Sequence, residues 1–124
     1  MHAVRQPAVA GSFYPGDPET LLRVVEGHLD AARDDLDPGL GRVKALIAPH
    51  AGYVYSGSTA ALAYACLEGV RDDVERVVLL GPTHRVPVSG LALSGAGTWR
   101  TPLGDVGTEE HIPGLDALHH VMTS

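Results

Sequence analysis

Two short apolar runs, each leading through a proline to a histidine, constrain the fold of this chain most strongly. Residues 43–48 (VKALIA) precede His50, and residues 75–81 (ERVVLLG) precede His84. Apolar runs of this length, bounded by turn residues, are typical of buried strands in a parallel sheet. Because parallel strands end at one edge of the sheet, we expect both imidazoles at the edge where open α/β folds bind ligands and metals.

Helical patterns surround these runs. Asp17 and Pro18 form a helix start, since Asp accepts backbone N–H bonds as a cap and Pro fits the first helical position. Apolar residues then recur at helical spacing to about residue 34. The alanine-rich residues 58–69 predict a second helix. Strand, helix and strand in this order predict a right-handed βαβ unit.

The rest of the chain has weaker patterns. Residues 5–16 contain prolines and glycines that predict an extended arm. Residues 90–94 predict a third strand, and residues 98–102 are expected to pair at a sheet edge, where a proline is tolerated. Trp99 and Arg100 in this segment are interpreted as structural residues.

Composition limits the classes of partner. The length of 124 residues and the 44% hydrophobic fraction suit one domain with a core. A net charge of −6, with nine scattered basic residues, argues against nucleic-acid binding. Cys66 is the single cysteine, which excludes an internal disulfide and fits a reducing cytoplasm. The absence of a run long enough to span a bilayer predicts no membrane partner.

The histidine pair predicts a metal site, because neutral imidazole is a common ligand of zinc, copper and iron. The alternative is that each histidine caps a loop by hydrogen bonding. Cys66 is poorly placed as a third ligand, since it lies about nine residues, or roughly 13 Å, along the intervening helix. It is interpreted as a small core residue. Three later histidines could supply a ligand, but nothing around them specifies which: His111, His119 and His120.

Aromatic residues near His50 are candidates for a ligand pocket. Tyr53 and Tyr55 each either line the pocket or pack against the neighbouring helix. The start of that helix either attracts an anion, as free N–H groups do, or is capped by Ser56 or Ser58. Phe13, on the extended arm, either covers an edge of the pocket or anchors the arm.

Four ordered segments resemble the Memo-like family, whose bacterial and archaeal members are called AmmeMemoRadiSam system protein B. They are residues 5–15 (RQPAVAGSFYP), 48–57 (APHAGYVYSG), 80–86 (LGPTHRV) and 99–104 (WRTPLG). The resemblance extends from residue 5 to about residue 106.

This resemblance implies an α/β fold like that of LigB-type class III extradiol dioxygenases, with a central mixed, partly parallel sheet flanked by helices. It places His50 and His84 at the two histidine positions of a metal site, with iron as the expected cofactor and copper or zinc as alternatives. It places Phe13 and Tyr55 near the mouth of the pocket. A Memo relative described as a phosphotyrosine-peptide binder makes a non-catalytic site for an anionic or aromatic peptide or small ligand the second hypothesis.

Family members continue for a further stretch that carries a catalytic-type histidine and a metal-ligand cysteine. The chain is therefore expected to be a truncated N-terminal part, residues 1–106, followed by a divergent tail, residues 107–124. We expect such a part to self-associate through an exposed sheet edge. A third hypothesis is a remnant that requires a partner to fold.

Overall fold

The computed structural model of the chain describes residues 3–109 and contains two units. The helical unit runs from Val9 to Val77. Among the described residues, the sheet unit combines residues 3–8 with residues 78–109. Both α-helices belong to the helical unit, and the three strands of the sheet belong to the sheet unit.

The first helix, α1, spans Pro18–Asp34. The Asp17 carboxylate accepts a hydrogen bond of 2.8 Å from the backbone N–H of Thr20, and Pro18 occupies the first turn, where it has no donor to lose. This hydrogen bond lowers the pKa of Asp17. Both the start and the end of the predicted helix are confirmed.

The second helix, α2, spans Tyr53–Ala65, and a single 3₁₀ turn follows at Arg71–Asp73. It begins five residues before the predicted start at residue 58, and the N–H of Tyr53, its first residue, donates to the carbonyl of Phe13. No residue of α2 carries a full charge at neutral pH. Among residues 3–109, no helix has both the length and the apolar character needed to cross a bilayer.

The two helices pack through small side chains. Ala32 of α1 and Ala61 and Ala65 of α2 form a buried cluster, and Leu29 and Leu36 pack against it. Alanines at a helix contact let the two backbones approach closely, so the core of this unit is thin.

An ion pair joins the C-terminal end of α1 to the turn after α2. The Arg33 guanidinium donates to both carboxylate oxygens of Glu68, with Nε–Oε2 at 2.8 Å and Nη2–Oε1 at 2.7 Å. This bidentate contact holds the pKa of Glu68 below its ordinary value.

The sheet has three short strands: β1 (Val4–Arg5), β2 (Thr98–Thr101) and β3 (Gly104–Gly107). The strand order is β1-β2-β3, with β1 parallel to β2 and β2 antiparallel to β3. Pro102 and Leu103 form the two-residue turn between β2 and β3. Gly104 follows the turn at φ +130°, a conformation that favours glycine.

Side chains of β2 hold this sheet together. The Arg5 guanidinium lies 4.7 Å from the centre of the Trp99 ring, and the Trp99 indole N–H donates to the Ser94 hydroxyl at 2.9 Å. Arg100 and Asp105 are direct cross-strand partners joined by hydrogen bonds of 2.8 and 2.9 Å. These contacts agree with the structural interpretation of Trp99 and Arg100.

The predicted α/β class with a mixed, partly parallel sheet is confirmed. The strand predicted at residues 98–102 forms, but it is central in the sheet, not at an edge, because β1 and β3 pair with its two sides. Pro102 lies just beyond the strand end, so it does not interrupt the ladder of hydrogen bonds.

The strands predicted at residues 43–48, 75–81 and 90–94 are wrong for this structure, which assigns no strand there, and the predicted βαβ unit is therefore also wrong. A strand forms only where a neighbour pairs with its backbone, and none of the three strands pairs with these segments. Without that cover the apolar side chains stay exposed: Ile47 is 100% exposed, and Val77 and Leu80 are each 74% exposed.

The predicted boundary at residue 106 lies within β3, and the N–H of Thr108 donates to the carbonyl of Gly97 at 3.0 Å. Most of the predicted tail, residues 110–124, lies outside the described residues. The division into residues 1–106 and 107–124 stays a prediction.

The Arg33–Glu68 pair predicts a pH-dependent contribution to stability. Because the pKa of Glu68 is lowered from 4.5, the pair stabilises the fold above that pH and its contribution disappears as pH falls through the folded-state pKa. Glu68→Gln should therefore lower the thermal midpoint at neutral pH and differ progressively less from the parent in acid. Glu26→Gln, which removes an exposed carboxylate from α1, is the control. A Glu68→Gln deficit that persists unchanged in acid would contradict the prediction.

The approach of α1 to α2 predicts opposite effects for two Gly→Ala changes. A methyl group at Gly57 would lie 2.8 Å from Nε2 of His28, whereas one at Gly27 meets nothing within 4 Å. Gly27→Ala should raise the free energy of unfolding by about 0.5–1 kcal/mol through helix propensity. Gly57→Ala should lower it, because the methyl displaces the His28 ring. Urea unfolding measures both, and the Gly57→Ala change should become stabilising in a His28→Ala background.

Candidate metal and ligand site

The two predicted metal ligands lie in exposed loops. His50 follows a segment without secondary structure and comes three residues before α2, in the helical unit. His84 lies in a bend of the sheet unit. Both residues are exposed to solvent.

The start of α2 is attached to a compact turn formed by residues 9–14. The backbone N–H of Tyr53 donates to the carbonyl of Phe13 at 2.8 Å. The turn is closed by its own bonds, from Gly11 N to Tyr14 O at 2.8 Å and from Phe13 N to Val9 O at 2.9 Å. Gly11 sits at φ +82°, where an L side chain would be strained. This turn supplies an acceptor for an N–H that the helix itself leaves unpaired.

Phe13 and Tyr55, the predicted ligand-binding residues, both lie beside Gly52. A methyl group at Gly52 would be 3.5 Å from Cα of Phe13 and 3.8 Å from the ring carbon Cδ2 of Tyr55. Phe13 is 47% exposed and Tyr55 is 86% exposed. Both residues therefore lie at the N-terminal end of α2, beside Gly52, which follows His50 by two residues.

Tyr53 packs instead of facing solvent. Its ring centre lies 5.7 Å from that of Tyr14 and 6.5 Å from that of His28, in tilted and edge-on contacts. Burial raises the pKa of the Tyr53 phenol. Of the two tyrosines that follow His50, Tyr53 takes the packing role and Tyr55 is the exposed one.

The sequence interpretation missed Tyr14 and His28 as supports of this region. Gly57 is the signal that could have revealed His28, because a glycine within an alanine-rich helix often marks the close approach of another side chain. The contact between Gly57 and the His28 ring is of this kind.

The predicted cap of α2 by Ser56 or Ser58 is wrong. The N-cap is Gly52, which forms no side-chain cap. Ser56 lies inside the helix, and its hydroxyl donates to the carbonyl of Ala51 at 3.0 Å. A cap would instead accept a hydrogen bond from a backbone N–H in the first turn of the helix.

Cys66 lies at the C-terminal end of α2, where its thiol donates to the carbonyl of Leu62 at 3.1 Å. It is partly buried and at the opposite end of the helix from His50. Within residues 3–109, no group of three or more His, Cys, Asp or Glu side chains is arranged to hold a metal ion. The other candidate ligands lie outside the described residues: His111, His119 and His120.

Comparison with known proteins decides the family. The sequence profile of the family described as Memo-like protein matches residues 5–122. A MEMO1 family protein of Methanothermobacter thermautotrophicus is 41% identical over 117 residues, which cover 88% of this chain and 40% of the relative. The chain belongs to the Memo-like family.

Other Memo-like relatives show the same coverage. A MEMO1 family protein of Archaeoglobus fulgidus is 38% identical over 121 residues, covering 98% of this chain and 41% of the relative. A protein memo-1 homolog of Caenorhabditis elegans is 43% identical over 108 residues, covering 87% of this chain and 29% of the relative. The chain thus spans less than half the length of these relatives.

The half-buried phenol of Tyr53 predicts how stability changes in alkali. Because its pKa is raised in the folded state, its contribution is full below the ordinary tyrosine value of 10.0 and is lost as pH rises through the folded-state pKa. The free energy of unfolding should therefore fall more steeply above that pH in the parent than in Tyr53→Phe. Urea titrations on either side of it measure this, with the exposed Tyr55→Phe as control. Parallel pH profiles for the parent and Tyr53→Phe would refute it.

Proposed function

We propose that this Memo-like chain binds a redox-active divalent metal, iron first among them, through His50 and His84. The observation that carries the proposal is the matched setting of the two histidines, each exposed in a loop that follows an apolar run and a proline. Membership of the Memo-like family supports it, since these residues lie in two of the four family-like segments. Copper and zinc are the alternative ions, because they also accept imidazole.

The donor chemistry of these residues fits such an ion. Neutral imidazole binds iron, copper and zinc through one ring nitrogen. Two protein ligands leave other coordination positions for water, substrate or further donors. A bound redox metal would supply an electrophilic centre for a dioxygenase-like reaction. A reducing cytoplasm, favoured by the single cysteine, would keep iron ferrous.

Phe13 and Tyr55 would contact the organic part of a ligand. Both are exposed, and both lie beside Gly52, close in the chain to His50. Aromatic rings with this exposure offer apolar faces and edges to a planar or aromatic group. Their role in the proposal is to orient a ligand next to the metal-bearing loop.

Anaerobic isothermal titration with Fe(II) tests the metal proposal. We expect binding by the parent chain and a loss of affinity in His50→Ala and in His84→Ala that exceeds the roughly 10–100-fold typical of losing an outer partner of a metal ligand. Glu26→Gln is the control, since it removes an exposed carboxylate of α1 that has no part in the proposed site, and it should bind Fe(II) like the parent. Equal affinity in the parent and both loop-histidine variants would exclude these residues as ligands.

A second candidate is a non-catalytic site for an anionic or aromatic ligand, and the exposure of Tyr55 at a helix N-terminus favours it. Phosphotyrosine, titrated with and without chelator and followed by NMR, separates the two candidates. Shifts near Tyr55 that survive chelation and vanish in Tyr55→Ala would support the binding module. Shifts that require the metal would support the first proposal.

A further inference from the structure

Ser56 is the one polar side chain that is buried among the residues the structure describes, with 8% of its surface exposed. A buried hydroxyl is destabilising unless it forms a hydrogen bond. A serine within a helix can donate to the carbonyl four residues earlier. For Ser56 that carbonyl belongs to Gly52, which already accepts from Tyr55 N at 2.9 Å and Ser56 N at 3.1 Å. The hydroxyl bonds instead to Ala51, before the helix begins.

The residues immediately after His50 are therefore restrained at three successive positions. The carbonyl of Ala51 accepts from the Ser56 hydroxyl, the carbonyl of Gly52 accepts from the first turn of α2, and the N–H of Tyr53 donates to Phe13. Gly52 has no side chain with which to cap the helix, and the Ser56 hydroxyl provides a side-chain contact between this loop and α2.

We propose that Ser56 is a positioning residue for His50, an inference that rests on the metal site proposed above. By holding the carbonyl of the next residue, Ser56 orients the backbone from which the His50 imidazole projects. A ligand on an unrestrained loop must lose conformational freedom when it binds a metal, and that loss weakens affinity. Ser56 reduces the loss by ordering the loop in advance, as outer partners of metal ligands do.

The test uses the full chain with three substitutions: Ser56→Ala, Ser56→Thr and Ser58→Ala. Ser56→Ala removes the hydroxyl and should weaken Fe(II) binding about tenfold, within the range found for outer partners of metal ligands. Ser56→Thr keeps the hydroxyl and should restore affinity. Ser58→Ala removes an exposed hydroxyl from the same helix and should bind Fe(II) like the parent.

Amide hydrogen exchange of the metal-free proteins supplies a second measurement. Ser56→Ala should speed exchange at Tyr53, Tyr55 and Ser56, whose amides form the hydrogen bonds at the start of α2, while leaving the later turns of α2 protected. Ser56→Thr should reverse this. Faster exchange along all of α2 would show a merely structural role and overturn the inference. Unchanged exchange together with unchanged Fe(II) affinity would also overturn it.

The outcomes separate this inference from the proposed function. Failure of the parent to bind Fe(II) would refute the metal site, and with it the positioning role toward a metal, whatever the exchange data show. Fe(II) binding that requires His50 but is insensitive to Ser56→Ala would refute the positioning role alone.

Discussion

The packing of α1 against α2 through alanine side chains is the contact on which the helical unit depends. Ala32, Ala61 and Ala65 allow the backbones to come close enough for the His28 ring to lie over Gly57 and the edge of Tyr53. This approach sets the direction of α2 and therefore the place at which the loop containing His50 ends. A larger residue at any of the three alanine positions would move that loop without touching it.

The close approach of α1 and α2 limits the apolar surface that the helical unit can bury. Alanine covers little apolar surface, so the helix pair relies on polar contacts at its ends: the Asp17 cap at the start of α1 and the Arg33–Glu68 pair at its finish. Charged partners that remain exposed are individually weak. The helical unit therefore depends on the alanine contact between its helices together with the backbone hydrogen bonds within them, and the exposed ion pair adds little.

Local signals in the sequence predicted local structure well. Asp17 and Pro18 specify the start of α1 because the cap and the proline act within one turn, and residues 98–102 specify β2 because the next strand lies only two residues beyond it. The prediction of strands before His50 and His84 is wrong. An apolar pattern indicates that a segment tends to be buried, but it does not show whether another strand is present to form hydrogen bonds with its backbone.

The candidate site also contains residues that the sequence identifies and one that it does not. Resemblance to the family points to Phe13 and Tyr55, and both lie beside Gly52. The packing of His28 against Gly57 is a contact between two helices, and no local sequence pattern encodes it. The roles of His50 and His84 stay predictions, because metal binding depends on a chemical partner in addition to the chain.

The unpaired apolar segment from Val77 to Leu80 has one further consequence. Proteases cut where an exposed backbone can enter their cleft, and a segment outside any helix or ladder offers such a backbone. A single cut there would leave His50 on one fragment and His84 on the other. The chemistry proposed for the pair would then depend on the integrity of the three peptide bonds that join Val77 to Leu80.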